Sequence, residues 1–204
     1  MPEWRNLVAI AVAYLLGCFT TAYYLVRLRT GQDIRQLGSG TVGGRNAGRV
    51  LGRAGFALVA VGDALKGLLA ILFARYLGVD SWGLVLVILA VLAGHIWPAQ
   101  LRFKGGKGAA TLIGALVGYN YLIAVLIAGL FLILFALFRS FTVAGLLALL
   151  LAPLALIVFG QPLVAVAATA APVLLVLLAH RENIREKLQG RAASHPGPLT
   201  RRGE

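Results

Sequence analysis

Lys104-Gly105-Gly106-Lys107-Gly108 runs directly into an apolar segment that begins at Ala109. Two cations flank two glycines at a helix start, and helix N-termini bind anions through free N–H groups and the helix dipole. A charge pair stopping a hydrophobic segment at a membrane edge explains the lysines, but not the glycines between them. A second segment, Leu37 to Arg49, carries Gly38, Ser39, Gly40, Thr41, Gly43, Gly44, Arg45, Asn46 and Arg49. Successive backbone N–H groups in such a loop form an anion-binding concavity, and arginine adds bidentate recognition of oxyanions. On composition alone, an anion cradle and a flexible basic loop drawn to anionic lipid are evenly balanced. Neither segment has the Gly, four residues, Gly-Lys-Ser/Thr spacing of a nucleotide P-loop.

A third segment, His180-Arg181-Glu182-Asn183-Ile184, follows the last apolar block. Continued as a helix, it places His180, Asn183 and Ile184 on one face. A solvated basic helix end accounts for Arg181 and Arg185 better than for His180 and Asn183. His95, in Gly94-His95-Ile96-Trp97-Pro98, reads by itself as a structural hydrogen-bonding group, and Trp97 as an interfacial residue. Asp63 and Lys66 stand three apart inside an apolar block. Ionisable residues there are functional candidates, although a salt bridge closing a helix bundle explains them at least as well. The one cysteine, Cys18, reads as a small buried hydrophobe.

The elements that carry these residues follow from the apolar blocks. The chain has 204 residues, 60% hydrophobic and 13% charged, whereas soluble domains carry about 25% charged residues. Six apolar blocks lie at about 4–28, 54–79, 81–101, 109–138, 141–159 and 161–179, and a bilayer span needs roughly 20 such residues. The first has a long apolar run with a basic stretch after it, so it reads as a retained span and not as a secretory signal. The fourth is 30 residues without a charge. As one straight helix it would be about 45 Å long, beyond the hydrocarbon core, and Gly118-Tyr119-Asn120 inside it reads as a turn.

The net charge of +12 would point to nucleic acid in a soluble protein. Here the positive-inside rule accounts for it. Seven spans with the N-terminus outside put 16 of the 19 basic residues on the cytoplasmic side; six spans leave a basic cluster on the wrong side. The expectation is an all-α, polytopic transmembrane helical bundle of seven spans, N-terminus outside and C-terminus cytoplasmic. Residues 1–204 form a single integral membrane domain, with 184–204 a mobile cytoplasmic tail.

Taken together, the segments resemble the bacterial acyl-phosphate:glycerol-3-phosphate acyltransferase family. The matching residues are Gly38-Ser39-Gly40, Asn46 and Arg49; Asp63 with Lys66-Gly67; Gly94-His95 with Pro98; Phe103 to Gly108 with Thr111; and His180-Arg181, Asn183-Ile184 and Gly190. The resemblance covers nearly the whole chain, and Lys-Gly-Gly-Lys-Gly is its most specific element. It implies transfer of a fatty acyl group from acyl phosphate to the 1-hydroxyl of glycerol 3-phosphate, giving lysophosphatidate and inorganic phosphate at the bacterial inner membrane. Ser39, Lys104, His180 and Asn183 would be catalytic. Gly38, Gly40, Asn46, Arg49, Lys66, His95, Gly105, Gly106 and Lys107 would bind substrate. The partners would be acyl phosphate, glycerol 3-phosphate and membrane lipids, with no nucleic acid, cofactor or metal; oligomeric state stays open. The family usually has Asn at Thr41, Thr at Arg45, Arg at Glu186 and Glu at Ala192. The His with Asp five residues later, used by the other glycerolipid acyltransferases, is absent. The competing reading is a re-purposed paralogue that binds or transports an anionic phosphorylated metabolite. It is disfavoured because the polar motifs gather on one side, whereas transporters place them near the midplane.

Overall fold

The computed structural model describes residues 3–188, without the side chains of Asn183, Glu186, Lys187 and Leu188. The described residues are helical and contain no strand. In chain order the helices are α1 (Glu3–Cys18), α2 (Thr21–Thr30), α3 (Gly44–Tyr76), α4 (Ser81–Ile96), α5 (Ala109–Tyr119), α6 (Tyr121–Phe138), α7 (Phe141–Val158), α8 (Leu163–Ala179) and α9 (Arg181–Leu188). Short 3-10 turns occupy Ile34–Gln36 and Ala99–Leu101.

Among the described residues, five stretches are long and apolar enough to cross a membrane: Glu3–Thr30, Gly44–Tyr76, Ser81–Leu101, Tyr121–Phe138 and Phe141–Val158. Two shorter apolar helices, Ala109–Tyr119 and Leu163–Ala179, complete the bundle. The outer faces are leucine-rich; Leu58, Leu65, Leu69 and Leu72 on α3 are all about half exposed. That surface suits lipid, because an apolar face of this extent is unfavourable in water. The buried core instead uses small and β-branched residues, including Ala9, Ala13, Ala70, Val87, Ile88 and Val91. Glycines let two helix pairs approach backbone to backbone, as small residues do in membrane bundles. A Cβ on Gly114 of α5 would lie 1.8 Å from the Ala64 carbonyl oxygen of α3, and one on Gly94 of α4 would lie 2.1 Å from that of Tyr14 on α1.

The 30-residue apolar block is broken where the turn was expected. Asn120 is extended (φ −159°), and its Oδ1 accepts from the Leu122 N–H at 3.0 Å, starting α6. The first block, expected as one helix, is interrupted after Cys18. Opening a helix inside an apolar region frees carbonyls that need donors. Lys66 supplies Gly17 O and Phe19 O, and Gln100 supplies Cys18 O. α9 runs through Leu188, into the segment expected as a tail from residue 184. The remainder of that segment, 189–204, lies outside the described residues.

Candidate active site

The loop before α3 is organised by Asn46, which is fully buried. Its Oδ1 accepts from the Ser39 N–H at 2.9 Å, and its Nδ2 donates to Leu37 O at 2.9 Å and Thr41 O at 3.0 Å, with Ile34 O at 3.2 Å. Gly38 has φ +54°, and a Cβ there would sit 2.3 Å from Asn46 Oδ1. Glycine is thus required both by the left-handed backbone and by the close approach. Asn46 holds the loop's shape and does not reach the cavity. Ser39 Oγ and Thr41 Oγ1 are 3.0 Å apart, and Ser39, Thr41, Arg45 and Arg49 line the cavity.

This loop is tied to the Lys-Gly-Gly-Lys-Gly segment through Arg35. Asp33 pairs with Arg35 at 2.6 Å, and Arg35 Nη1 donates to Leu101 O at 2.9 Å. The Arg35 guanidinium holds the Asp33 carboxyl below the usual carboxylate range. Beyond Leu101 the chain folds back over the end of α4. The Gly105 N–H donates to Ile96 O at 3.1 Å and the Gly106 N–H to His95 O at 3.0 Å. These amides, expected to bind substrate, satisfy carbonyls at the C-terminus of α4. Gly106 still lines the cavity, as do Lys107, Gly108, Ala109 and Ala110. The cavity therefore meets the start of α5, whose first N–H groups have no intrahelical acceptor. Lys107 takes the position expected of Lys104. Lys104 is exposed and does not line the cavity.

His180 caps α8 and lines the cavity. Its Nδ1 donates to Val176 O at 2.8 Å, leaving Nε2 with a lone pair when the ring is neutral. Burial pushes its pKa below the ordinary histidine value; the Val176 carbonyl opposes this, and the Lys107 and Arg45 cations add to it. Asn183 lies three residues further on, in α9, with its side chain outside the described residues.

Deeper in the bundle, Lys66 Nζ is 3.0 Å from Asp63 Oδ1 and 2.6 Å from His95 Nδ1. Thr21 Oγ1 donates to the same Asp63 oxygen at 3.0 Å. Asp63 and His95 line the cavity, whereas Lys66 lies behind them. The ammonium of Lys66, expected to bind substrate, faces protein acceptors.

The cavity has a volume of about 860 Å³. Its polar lining is formed by the loop residues, Lys107 and His180. An apolar wall runs between α3, α5, α6 and α7, with Phe56, Ile113, Ile127, Phe131, Phe141 and Leu149 on it; Phe56 and Phe141 stand beside the Arg45–Thr142 contact. Arg45 donates to Thr142 Oγ1. Arg45's contact and this apolar chamber were not apparent in sequence, because they depend on how α6 and α7 return beside α3.

The fold is that of an integral membrane protein, and its cavity joins several cations to an apolar wall. The family model described as glycerol-3-phosphate acyltransferase matches residues 7–190. Glycerol-3-phosphate acyltransferase 1 of Desulfitobacterium hafniense (strain Y51) is 45% identical over 183 residues, covering 90% of this chain and 91% of that protein. The glycerol-3-phosphate acyltransferase of Prochlorococcus marinus (strain NATL1A) is 38% identical, covering 91% and 96%. The crystal structure of PlsY (YgiH), an integral membrane glycerol 3-phosphate acyltransferase, in its glycerol 3-phosphate form superposes with a TM-score of 0.83 at 36% identity, covering 91% of this chain and 93% of that one. Its lysophosphatidic acid form gives 0.81 at 34%. The chain belongs to the glycerol-3-phosphate acyltransferase family and is an acyltransferase of the membrane.

Proposed function

We propose that the protein transfers a fatty acyl group from acyl phosphate to the 1-hydroxyl of glycerol 3-phosphate, releasing lysophosphatidate and inorganic phosphate. The observation that carries this reading is one cavity lined both by cations and by an apolar wall between α3, α5, α6 and α7. Both substrates bring phosphate to the cations, and the acyl chain lies along the apolar wall. The related PlsY structures, in glycerol 3-phosphate and lysophosphatidic acid forms, support the same pair of substrate and product.

Acyl phosphate is an activated mixed anhydride, so positioning and charge stabilisation supply most of the catalysis. Arg49, Lys107 and the start of α5 hold phosphate oxygens. Neutral His180 accepts a hydrogen bond at Nε2 from the 1-hydroxyl and orients it. The hydroxyl oxygen attacks the acyl carbon, the carbon–oxygen bond to phosphate breaks, and the hydroxyl proton leaves on the released phosphate. Ser39 lies beside this path, with Asn183 assigned to it by family resemblance. The chain acts as one domain of seven spans in the bacterial cytoplasmic membrane, N-terminus outside, with the polar lining facing the cytoplasm. The placement of basic residues supports that topology.

Purified protein is tested with acyl phosphate, acyl-CoA and acyl carrier protein donors, each with glycerol 3-phosphate. Turnover with acyl phosphate alone is expected. Robust turnover of acyl-CoA, or none with acyl phosphate, overturns the donor assignment.

A further inference from the structure

Lys66 Nζ faces four partners: Asp63 Oδ1 at 3.0 Å, Phe19 O at 2.9 Å, Gly17 O at 3.2 Å and His95 Nδ1 at 2.6 Å. The first three can only accept, and satisfying them takes all three protons of an ammonium. An ammonium has no lone pair, so His95 Nδ1 must also accept, sharing the protons with the longest contact, Gly17 O. The ring proton of neutral His95 is then on Nε2. That nitrogen lies against Gly106, where a Cβ would be 2.1 Å from it. His95 is 3% exposed and lines the cavity.

We infer that Asp63 and Lys66 form a clamp that fixes His95 as its Nε2–H tautomer, and that this N–H donates to a substrate phosphate oxygen held beside Lys107. The inference deepens the proposed function and rests on its placement of phosphate in the cavity. A phosphate oxyanion only accepts hydrogen bonds, so the other neutral tautomer would aim a lone pair at it and repel it. His180 is held the opposite way, with its Nδ1–H on Val176 O and its Nε2 lone pair remaining. One histidine therefore presents a donor suited to an oxyanion, and the other an acceptor suited to a hydroxyl. Asp63 and Lys66 are positioning residues, and His95 Nε2 is the atom that touches substrate.

The test is nitrogen NMR of the full chain labelled with ¹⁵N-histidine in lipid nanodiscs. The chain has three histidines, so His180→Gln and His195→Gln assign the spectrum. At neutral pH, His95 is expected to show a protonated Nε2 and a bare Nδ1, with His180 reversed. A protonated Nδ1 on His95, a doubly protonated ring, or averaging between tautomers overturns the clamp. Glycerol 3-phosphate and inorganic phosphate are then added, with binding followed separately by calorimetry. Movement of the His95 Nε2 signal on binding supports the donor role; a bound ligand that leaves it unmoved overturns that role. Absence of any binding counts against phosphate in the cavity, while the tautomer still decides the clamp. In Lys66→Met, the His95 tautomers should mix and KM for glycerol 3-phosphate should rise about tenfold or more, with a smaller change in kcat. A well-inserted Lys66→Met protein with unchanged tautomer and KM overturns the clamp; if that variant does not insert, the wild-type spectrum decides.

Discussion

The Arg45 guanidinium donates to Thr142 Oγ1, tying the first turn of α3 to the first turn of α7. Arg45 is also one of two cations near His180. Burial depresses the His180 pKa first, and Lys107 and Arg45 depress it further. A depressed pKa keeps the ring neutral below the ordinary histidine value, so the acid limb of kcat/KM should fall below about pH 6.5. Removing a cation raises the pKa, so in Arg45→Thr the limb should move to higher pH. The substrate phosphate also titrates near pH 6, but it does so equally for both proteins. Profiles of the two enzymes run side by side therefore isolate the protein's contribution. A limb that stays in place, or moves down, removes Arg45 and His180 from this account.

The two lysines of the Gly-rich segment should separate cleanly. Lys107 lines the cavity at the start of α5, whereas Lys104 is exposed away from it. Loss of a cation that meets developing phosphate charge costs a few kcal/mol of transition-state stabilisation, or roughly a hundredfold or more in rate. Lys107→Ala should insert normally and lose about that much, and Lys104→Ala should stay within a few-fold of the parent. Initial rates with insertion controls check both. Equal losses, or a larger loss at Lys104, reverse the assignment.

Spacing had little power to choose between those lysines, and the reason is physical. Whether Lys104 or Lys107 faces the cavity depends on the Gly105 and Gly106 amides bonding to Ile96 O and His95 O, a tertiary contact that folds the segment back over α4. The helical bundle itself was legible, because long apolar blocks and a turn at Asn120 are local properties of the chain. The interruption after Cys18 was not. It carries no proline and is stabilised by Lys66 and Gln100 from distant helices. Asn46 was legible as a site residue, but its role was not. A buried amide with every polar atom bonded to its own loop shapes a site without contacting the ligand.

Asn46 therefore makes a distinct prediction. Asn46→Ala removes the acceptor of the Ser39 N–H and one of the two donors on each of the Leu37 and Thr41 carbonyls, which keep the Gly40 and Gly43 N–H groups. Each hydrogen bond lost contributes about 0.5–1.5 kcal/mol, and three or four are lost together, so the variant should lose several degrees of thermal stability as well as activity. Asn46→Asp keeps the acceptor for Ser39 but sets a carboxylate against carbonyl oxygens, and should be no better. Thermal unfolding in detergent measures both. A variant with parental stability and impaired turnover would show that Asn46 touches substrate after all.

The apolar chamber predicts acyl-chain selectivity at Gly145. This glycine lies on the cavity wall in α7, and a Cβ there meets nothing within 4 Å. A larger side chain can therefore grow into the chamber without displacing a neighbour, which avoids the strain of overpacking a filled core. If the chamber holds the acyl chain, Gly145→Leu shortens it while leaving the polar lining intact. Short acyl phosphates should keep near-parental kcat/KM, and long ones should fall by about tenfold or more, the usual scale for a few methylenes excluded from an apolar pocket. KM for glycerol 3-phosphate should not change. The measurement is kcat/KM across a series of acyl phosphate lengths, with membrane insertion checked for the variant. A loss uniform across chain lengths would place the acyl chain outside this chamber and leave Gly145 a matter of helix packing alone.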